Sequence, residues 1–394
     1  MKITRSVILI AAVFIAVQTS MNCSKDTAGR DSSVSAKENT AVDSKFNETA
    51  SIFAGNGVKE GSALYKFCQS KFYQSYAKEI NSGWKKFQQP NIEEIQKWWS
   101  AHKPAHKAAA VMYPFSGPDI MNALTFYPDA EKIIMFGLEP PGKVPDPHSM
   151  TEKDLLSGLN SLRRSLNSIF HVNFFRTESM AVEIENTSFN STGGLIMFFL
   201  SLNGYTVTGV RTIAVDADAK VVDATKKDEA INWQNPPRSR IPGIEIKFRK
   251  GAGSERVIRY YMLNVIDQAL ANSSPNFIPY LKKEGPYSTV LKSASYLMHN
   301  DKVKFTKIRE AVLSLSDYII QDDSGVPLRY FPADTWKLKF HGYYDRPISL
   351  FAHRTQKDLF EAMKKNTTGT LPFSYGYDYQ KGKSNLMSAE RIKK

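Results

Sequence analysis

Apolar residues recur every three or four positions at Tyr65, Cys68, Phe72, Tyr76 and Ile80, which predicts one helix over Ser62–Ile80 with a single apolar face. Pro90 interrupts the pattern, and a second short helix is expected over Asn91–Ala101, ending before Pro104. Ala109–Phe115 and Lys132–Gly137 are short continuous apolar runs of the kind buried strands show, and Ile120–Tyr127 between them reads as a helix. The order is β–α–β, and a parallel pair built this way takes a right-handed crossover.

Thr151–His171 carries the clearest helical stripe, Leu155, Leu156, Leu159, Leu162, Leu166 and Ile169, and Thr151 with Asp154 forms a capping-box-like entry. Gly194–Leu202 reads as a buried helix. Thr206–Val215, Gly243–Arg249 and Val257–Val265, separated by glycine-containing turns, read as an antiparallel group. Further along, helices are expected over Phe305–Gln321 and Leu350–Lys365, and strands over Trp336–His341 and Leu371–Tyr377. In the first of those strands Trp336, Leu338 and Phe340 alternate with Lys337, Lys339 and His341, so the two sets face opposite ways. The mixture predicts a single α/β domain over residues 57–394, a mixed β-sheet flanked by helices, with no internal repeat and no internal linker.

The N-terminus changes where such a domain is expected to work. Lys2 and Arg5 precede the apolar run Ser6–Val17, which has signal-peptide length and falls short of the roughly 20 residues a transmembrane helix needs. The run turns polar and ends at Ser20-Met21-Asn22-Cys23. A secretory segment closing on a cysteine resembles the bacterial lipoprotein signal, here in a relaxed, spirochaete-like form. The resemblance implies cleavage after residue 22 and lipidation of Cys23 on sulfur. It places the chain in the bacterial cell envelope, at the outer membrane ahead of the inner, with the folded part outside the cytoplasm. The alternative is an ordinary secretory signal with Cys23 a bystander. Residues 23–56 are rich in Ser, Thr, Ala, Asp and Lys, and are expected to form a flexible tether. Cys68 is then left without an intramolecular partner and reads as a small buried hydrophobe.

The formal net charge of +13 implies acidic neighbours, and export makes these anionic lipid headgroups or envelope polymers in place of nucleic acid. Lysines interleave with Trp84, Trp98 and Trp99 across Tyr65–Lys107, either as a polyanion-binding surface or as the solvated faces of two amphipathic helices. The Asn-x-Ser/Thr sequons at Asn47, Asn186, Asn190, Asn272 and Asn366 are incidental behind a bacterial anchor.

Three constellations can carry chemistry. Ser116-Gly-Pro-Asp119 follows a strand, so Asp119 or Ser116 can act as acid or nucleophile; the structural reading makes Ser116 an N-cap with Asp119 reaching back. Asp322 and Asp323 follow the predicted Phe305–Gln321 helix, against its dipole, and call for a cation such as Arg329 or Lys337; a plain Asp-Asp-Ser-Gly turn is the alternative. In Lys292–His299, a helix would put Ser295 and His299 on one face, with Lys292 three residues from Ser295. No metal or cofactor is expected: Pro104 separates His102 from His106, Asp216–Lys220 lacks the glycine and later glutamate of a calcium loop, and the Gly376–Ser384 stretch has the wrong spacing for a P-loop.

The segments YPFSGPD (113–119), GLEP (137–140), KSASYLMH (292–299), DDSGVP (322–327) and the Trp336–Phe351 region resemble a family of exported bacterial proteins to which no chemistry is assigned. The resemblance implies that these segments converge on one surface and carries over no catalytic residue. Two functions remain open: a lipid-anchored envelope protein that binds or organises a partner, and an envelope hydrolase drawing on Asp119, Asp322, Asp323, Ser295 and His299.

Overall fold

The computed structural model of the chain describes residues 37–105, 108–172, 191–229, 239–300, 304–377 and 383–392. The signal segment and Cys23 lie outside these residues, and so does His106. Among the described residues ten strands form one sheet: β1 (Ala110–Pro114), β2 (Lys132–Gly137), β3 (Thr206–Val215), β4 (Val221–Asp223), β5 (Ile241–Arg249), β6 (Arg256–Met262), β7 (Tyr287–Leu291), β8 (Ser316–Gln321), β9 (Trp336–Gly342) and β10 (Asn385–Arg391). Their spatial order is β4-β3-β5-β6-β2-β1-β7-β8-β10-β9. The five central strands, β6, β2, β1, β7 and β8, are mutually parallel. Both flanks are antiparallel. The mixed α/β sheet expected from the sequence is present, and its β–α–β unit is a parallel β1–β2 pair.

Central parallel strands must be apolar on both faces, because helices cover each side. In β1, Val111 and Tyr113 enter one core while Ala110 and Met112 enter the other; in β2, Ile133 and Met135 oppose Ile134 and Phe136 in the same way. The first core is roofed by the helices Lys37–Phe53, Lys71–Phe87, Glu94–His102, Glu152–Val172 and Thr192–Leu202. The second lies under Asp267–Asn272, Phe277–Glu284, Thr306–Leu315 and Lys357–Asn366. Thr192–Leu202 is apolar all round and is buried all round, from Thr192 to Ser201.

Several expectations are corrected. The tether does not extend to residue 56: Lys37–Phe53 is helical, and Ala50, Ile52, Phe53 and Ala54 are core residues against the first face. The Ser62–Ile80 helix is two, Tyr65–Cys68 and Lys71–Phe87, because Ser70 accepts from Tyr73 N and starts a new helix. Cys68 is buried, as expected. Pro90 interrupts as expected: the Lys71–Phe87 helix ends before it, a π turn spans Gln88–Glu93, and the second helix is Glu94–His102. The lysines at 66, 71, 78, 85, 86 and 97 are exposed while Trp84 and Trp99 are buried, so this region is amphipathic helix and the two tryptophans are closed to a polyanion.

Phe305–Gln321 is a helix only over Thr306–Leu315; Ser316–Gln321 is β8, a buried strand that periodicity alone does not separate from a buried helix. Likewise Leu350–Lys365 is a 3₁₀ segment, Ser349–Arg354, followed by the Lys357–Asn366 helix. Leu371–Tyr377 is an irregular segment with bends and a left-handed Gly376; Leu371, Phe373, Tyr375 and Tyr377 are buried, but among the described residues it joins no ladder, and the last strand is β10. The alternation expected in β9 holds: Trp336, Leu338 and Phe340 face the second core, while His341 turns to the other face, where it is buried against Trp98 and His102.

Candidate functional site

Because β2, β1, β7 and β8 are neighbours and parallel, their C-terminal ends lie side by side, and the turn leaving each carries polar residues. The chain leaves β1 toward β2 on one side, whereas β7 pairs on the other. That arrangement is the switch point where open α/β sheets tend to place their sites.

At the end of β1 the backbone is left-handed at Phe115 (φ 58°) and Gly117 (φ 51°). The predicted cap does not form: the helix begins at Met121 and is entered from Ile120 with no side-chain bond. Asp119 turns inward, where its Oδ2 accepts from Asn122 Nδ2 at 2.7 Å and from the Tyr113 hydroxyl at 3.2 Å. Its Oδ1 is buried without a hydrogen-bond partner. Beyond β2, the Tyr260 hydroxyl reaches Glu139 O at 2.9 Å and Oε2 at 3.0 Å. A Cβ at Gly137 would lie 2.3 Å from that Oε2, so glycine is what admits the carboxylate.

Lys292 immediately follows β7, is buried, and has its ammonium 5.6 Å from the centre of the Tyr375 ring. Ser293, Ser295 and Tyr296 are all left-handed, with φ of 53°, 52° and 53°. Four of the six non-glycine residues with positive φ among those described, counting Phe115, therefore sit in the two turns around Lys292 and Asp119. Such conformations persist only where surroundings enforce them, and they gather at sites.

After β8, Asp322 accepts from Ser293 N and Ser324 N, each at 3.0 Å, and from the Ser324 hydroxyl. Asp323 accepts from the Tyr296 hydroxyl at 2.7 Å and from Asn385 Nδ2 at 3.0 Å.

The electrostatics follow from burial. Burial pulls the Lys292 ammonium below its ordinary value, and the charges of Asp119 and Asp322 oppose the shift. Burial raises Asp119, with the Lys292 charge the chief opposing influence. Asp322 is pushed up to about 7, first by burial and then by the charge of Asp323. The structure thus brings Asp119, Lys292, Asp322 and Asp323 together. Lys292 is a cation whose charge couples to Asp119 and Asp322, Arg329 lines the adjoining concavity, and because the carboxylates leave a strand, no helix dipole opposes them.

The Ser295–His299 pair is not formed. Ser295 Oγ bonds the Tyr377 hydroxyl at 2.7 Å, and the left-handed residues break the helix that would have aligned the pair. His299 instead lines a surface concavity of about 420 Å³ with Arg329, His353, Arg354, Gln356 and Lys357. Burial and then the Arg329 and Arg354 charges hold its imidazole down to about 3, and its Nε2 has no partner. Arg329 Nη2 donates to His299 O at 3.2 Å. The concavity adjoins the carboxylates: Gln356 Nε2 donates to Asp323 O at 3.0 Å, and the Tyr296 ring meets His299 edge-on at 5.1 Å.

The arrangement can do two things. The concavity gathers positive charge at the surface; the buried group holds a carboxyl that exchanges its proton near neutral pH. Among the described residues no group of three His, Cys, Asp or Glu is placed to hold a metal, and no helix is long and apolar enough to cross a membrane. The turns leaving β1, β2, β7 and β8 meet at this edge, and the Trp336–Phe351 region reaches it through Phe351, packed 4.7 Å from Tyr296. Sequence reasoning missed Tyr375, Tyr377, Glu139 and Asn385, and it treated Lys292 only as a neighbour of Ser295. A lysine directly after an apolar strand was the available signal. Comparison with protein-family models, curated proteins and solved structures returns no match.

Proposed function

We propose that the chain is a lipid-anchored protein of the bacterial cell envelope, attached through Cys23, whose folded part binds an anionic envelope component without turning it over. The observation that supports this reading is the concavity lined by Arg329, Arg354, Lys357, His353 and His299. Two guanidinium groups already repel a proton from His299, so an anion seated there relieves an existing positive potential. Retention of the full chain on an immobilised polyanion should fall about tenfold in the double variant R354E/K357E, in keeping with loss of roughly 1–2 kcal/mol of charge attraction. Equal retention of both proteins overturns the reading. Globomycin should cause unprocessed precursor to accumulate, and a bare thiol at the mature N-terminus would refute the anchor.

A second reading, an envelope hydrolase, is favoured by one observation: the unpartnered Asp119 Oδ1 lies in the same buried group as Asp322, between strained turns. Under it Asp322 supplies the proton to a leaving group and Asp119 the negative charge. A panel of ester, amide and glycoside substrates tests it, with D119N and D322N each expected to abolish turnover while the fold is retained.

A further inference from the structure

Two of the four large apolar side chains exposed among the described residues lie on one short segment, Tyr343 at 51% and Leu350 at 69% exposure. The segment is held from beneath. Tyr344 is buried and its hydroxyl accepts from Gln356 N at 3.0 Å, and Phe351 packs against Tyr296 at 4.7 Å and Tyr377 at 5.3 Å. Phe351 N donates to Ile348 O at 2.8 Å and closes the 3₁₀ turn that carries Leu350 outward. The exposed apolar groups therefore project from a fixed platform; solvent contact there is built in and is not the mark of a loose loop.

Cations surround them. Arg346 stands between Tyr343 and Leu350 in sequence, and His353, Arg354 and Lys357 follow. Two concavities flank the turn. One, of about 750 Å³, is lined by Tyr343–Ser349, Ala352, Lys383 and Asn385; the other is the basic concavity containing Arg329. Asp345 and Asp358 are the acidic residues lining them, against Arg329, Arg346, Arg354, Lys357 and Lys383.

We propose that the Tyr343–Lys357 segment rests on an anionic phospholipid surface, with Leu350 and Tyr343 entering the headgroup layer and Arg346, Arg354 and Lys357 meeting lipid phosphates. The inference rests on the envelope-binding reading and names its partner. Charge complementarity points to an anionic surface, and the exposed leucine separates lipid from glycan: a hydrated polymer offers Leu350 nothing, whereas the acyl boundary takes its side chain out of water. The segment supplies a second contact beside a lipid anchor, the combination that makes peripheral attachment stable.

The test uses the chain from residue 23 onward with Cys23→Ser, which removes both the lipid and the apolar leader, and flotation with vesicles containing phosphatidylglycerol or only phosphatidylcholine. Expected are flotation with the phosphatidylglycerol vesicles alone, weakening with salt, and a loss of about tenfold in L350S and, separately, in R354E/K357E. A Y343W variant should show a blue-shifted emission on the same vesicles, a readout that holds even if L350S folds poorly. Equal binding to phosphatidylcholine vesicles, unchanged binding in L350S, or no emission shift overturns the proposal. Retention on a polyanion with no vesicle binding overturns it too, yet leaves the broader binding reading standing.

Discussion

Replacing Asp322 by Asn should change the slope of stability against pH more than stability itself. Asp322 sits at about 7 in the folded chain, against 3.8 for the unperturbed group, because it is buried beside Asp323. For a carboxyl raised on folding, the native state binds the extra proton between those two values, so the contribution to stability is present at low pH and lost as pH rises. At about 1.4 kcal/mol per pH unit, the wild type forfeits on the order of a few kcal/mol between pH 4 and pH 7 through this group. His299 and His341 act in the opposite sense. Both are held down, to about 3 and about 4, so the unfolded chain takes up protons below about 6.5 that the native chain refuses, and stability falls there as pH falls. Neither imidazole has Asp322 among the causes of its shift, so their terms appear alike in wild type and D322N and cancel in the difference. D322N also loses an acceptor for Ser293 N or for Ser324, a nearly constant offset of about 1–3 kcal/mol. Urea unfolding of both proteins at intervals from pH 4.5 to 7.5 gives the two curves. The stability of D322N relative to wild type should climb with pH by a few kcal/mol, following the order of the figure above. Two parallel curves would show that Asp322 ionises normally and would refute the account of this site.

Two further outcomes follow from buried contacts elsewhere. Glu245 is buried between Arg211 Nε and Arg259 Nε, each at 2.7 Å, and those bonds hold its carboxyl below the usual range although burial alone would raise it. E245Q should therefore cost about 3 kcal/mol at pH 7 in urea unfolding, an effect that shrinks as pH falls below about 4.5; a loss independent of pH would contradict the charge argument. Gly342 has φ 86°, and a Cβ there would lie 2.0 Å from Ser384 O, so G342A should shift thermal unfolding by the equivalent of about 2–5 kcal/mol, while an unchanged midpoint would refute the β9–β10 junction.

Legibility followed the range of the interaction involved. The start of the Glu152–Val172 helix needs only neighbours three apart: Thr151 Oγ1 donates to Asp154 at 2.7 Å and accepts from its N–H at 3.2 Å, as the local pattern predicts. The antiparallel β3–β5–β6 group was legible because its strands are bounded by turns. β8 was not, since Tyr318, Ile319 and Ile320 sit between β7 and β10, buried on both faces, and a strand of that kind shows no alternation. The buried end of the Lys37–Phe53 helix was lost to averaging over residues 23–56: polar composition hid Ala50, Ile52 and Phe53, which dock on the first core. Leu371–Tyr377 shows the reverse failure, because alternation reports burial and not hydrogen bonding.

The candidate site shows the same division at the level of chemistry. The expectation that Asp322 and Asp323 call for a cation rested on the dipole of a preceding helix, and a strand precedes them instead. A helix there would have set a dipole against them and pointed to nearby Arg329; a strand carries no such dipole and delivers them to the end of β7, where Lys292 emerges from the neighbouring strand. Sheet order therefore chose the partner. The same order explains why Asp119 joins them, because β1 is the other neighbour of β7. The buried lysine ties three strand ends together whatever else it does, so loss of function in a Lys292 variant would not by itself identify a catalytic group. Variants of Arg354 and Leu350 do not share that ambiguity: they stand on the surface above the edge, and their effect on binding can be read without unfolding the strands beneath.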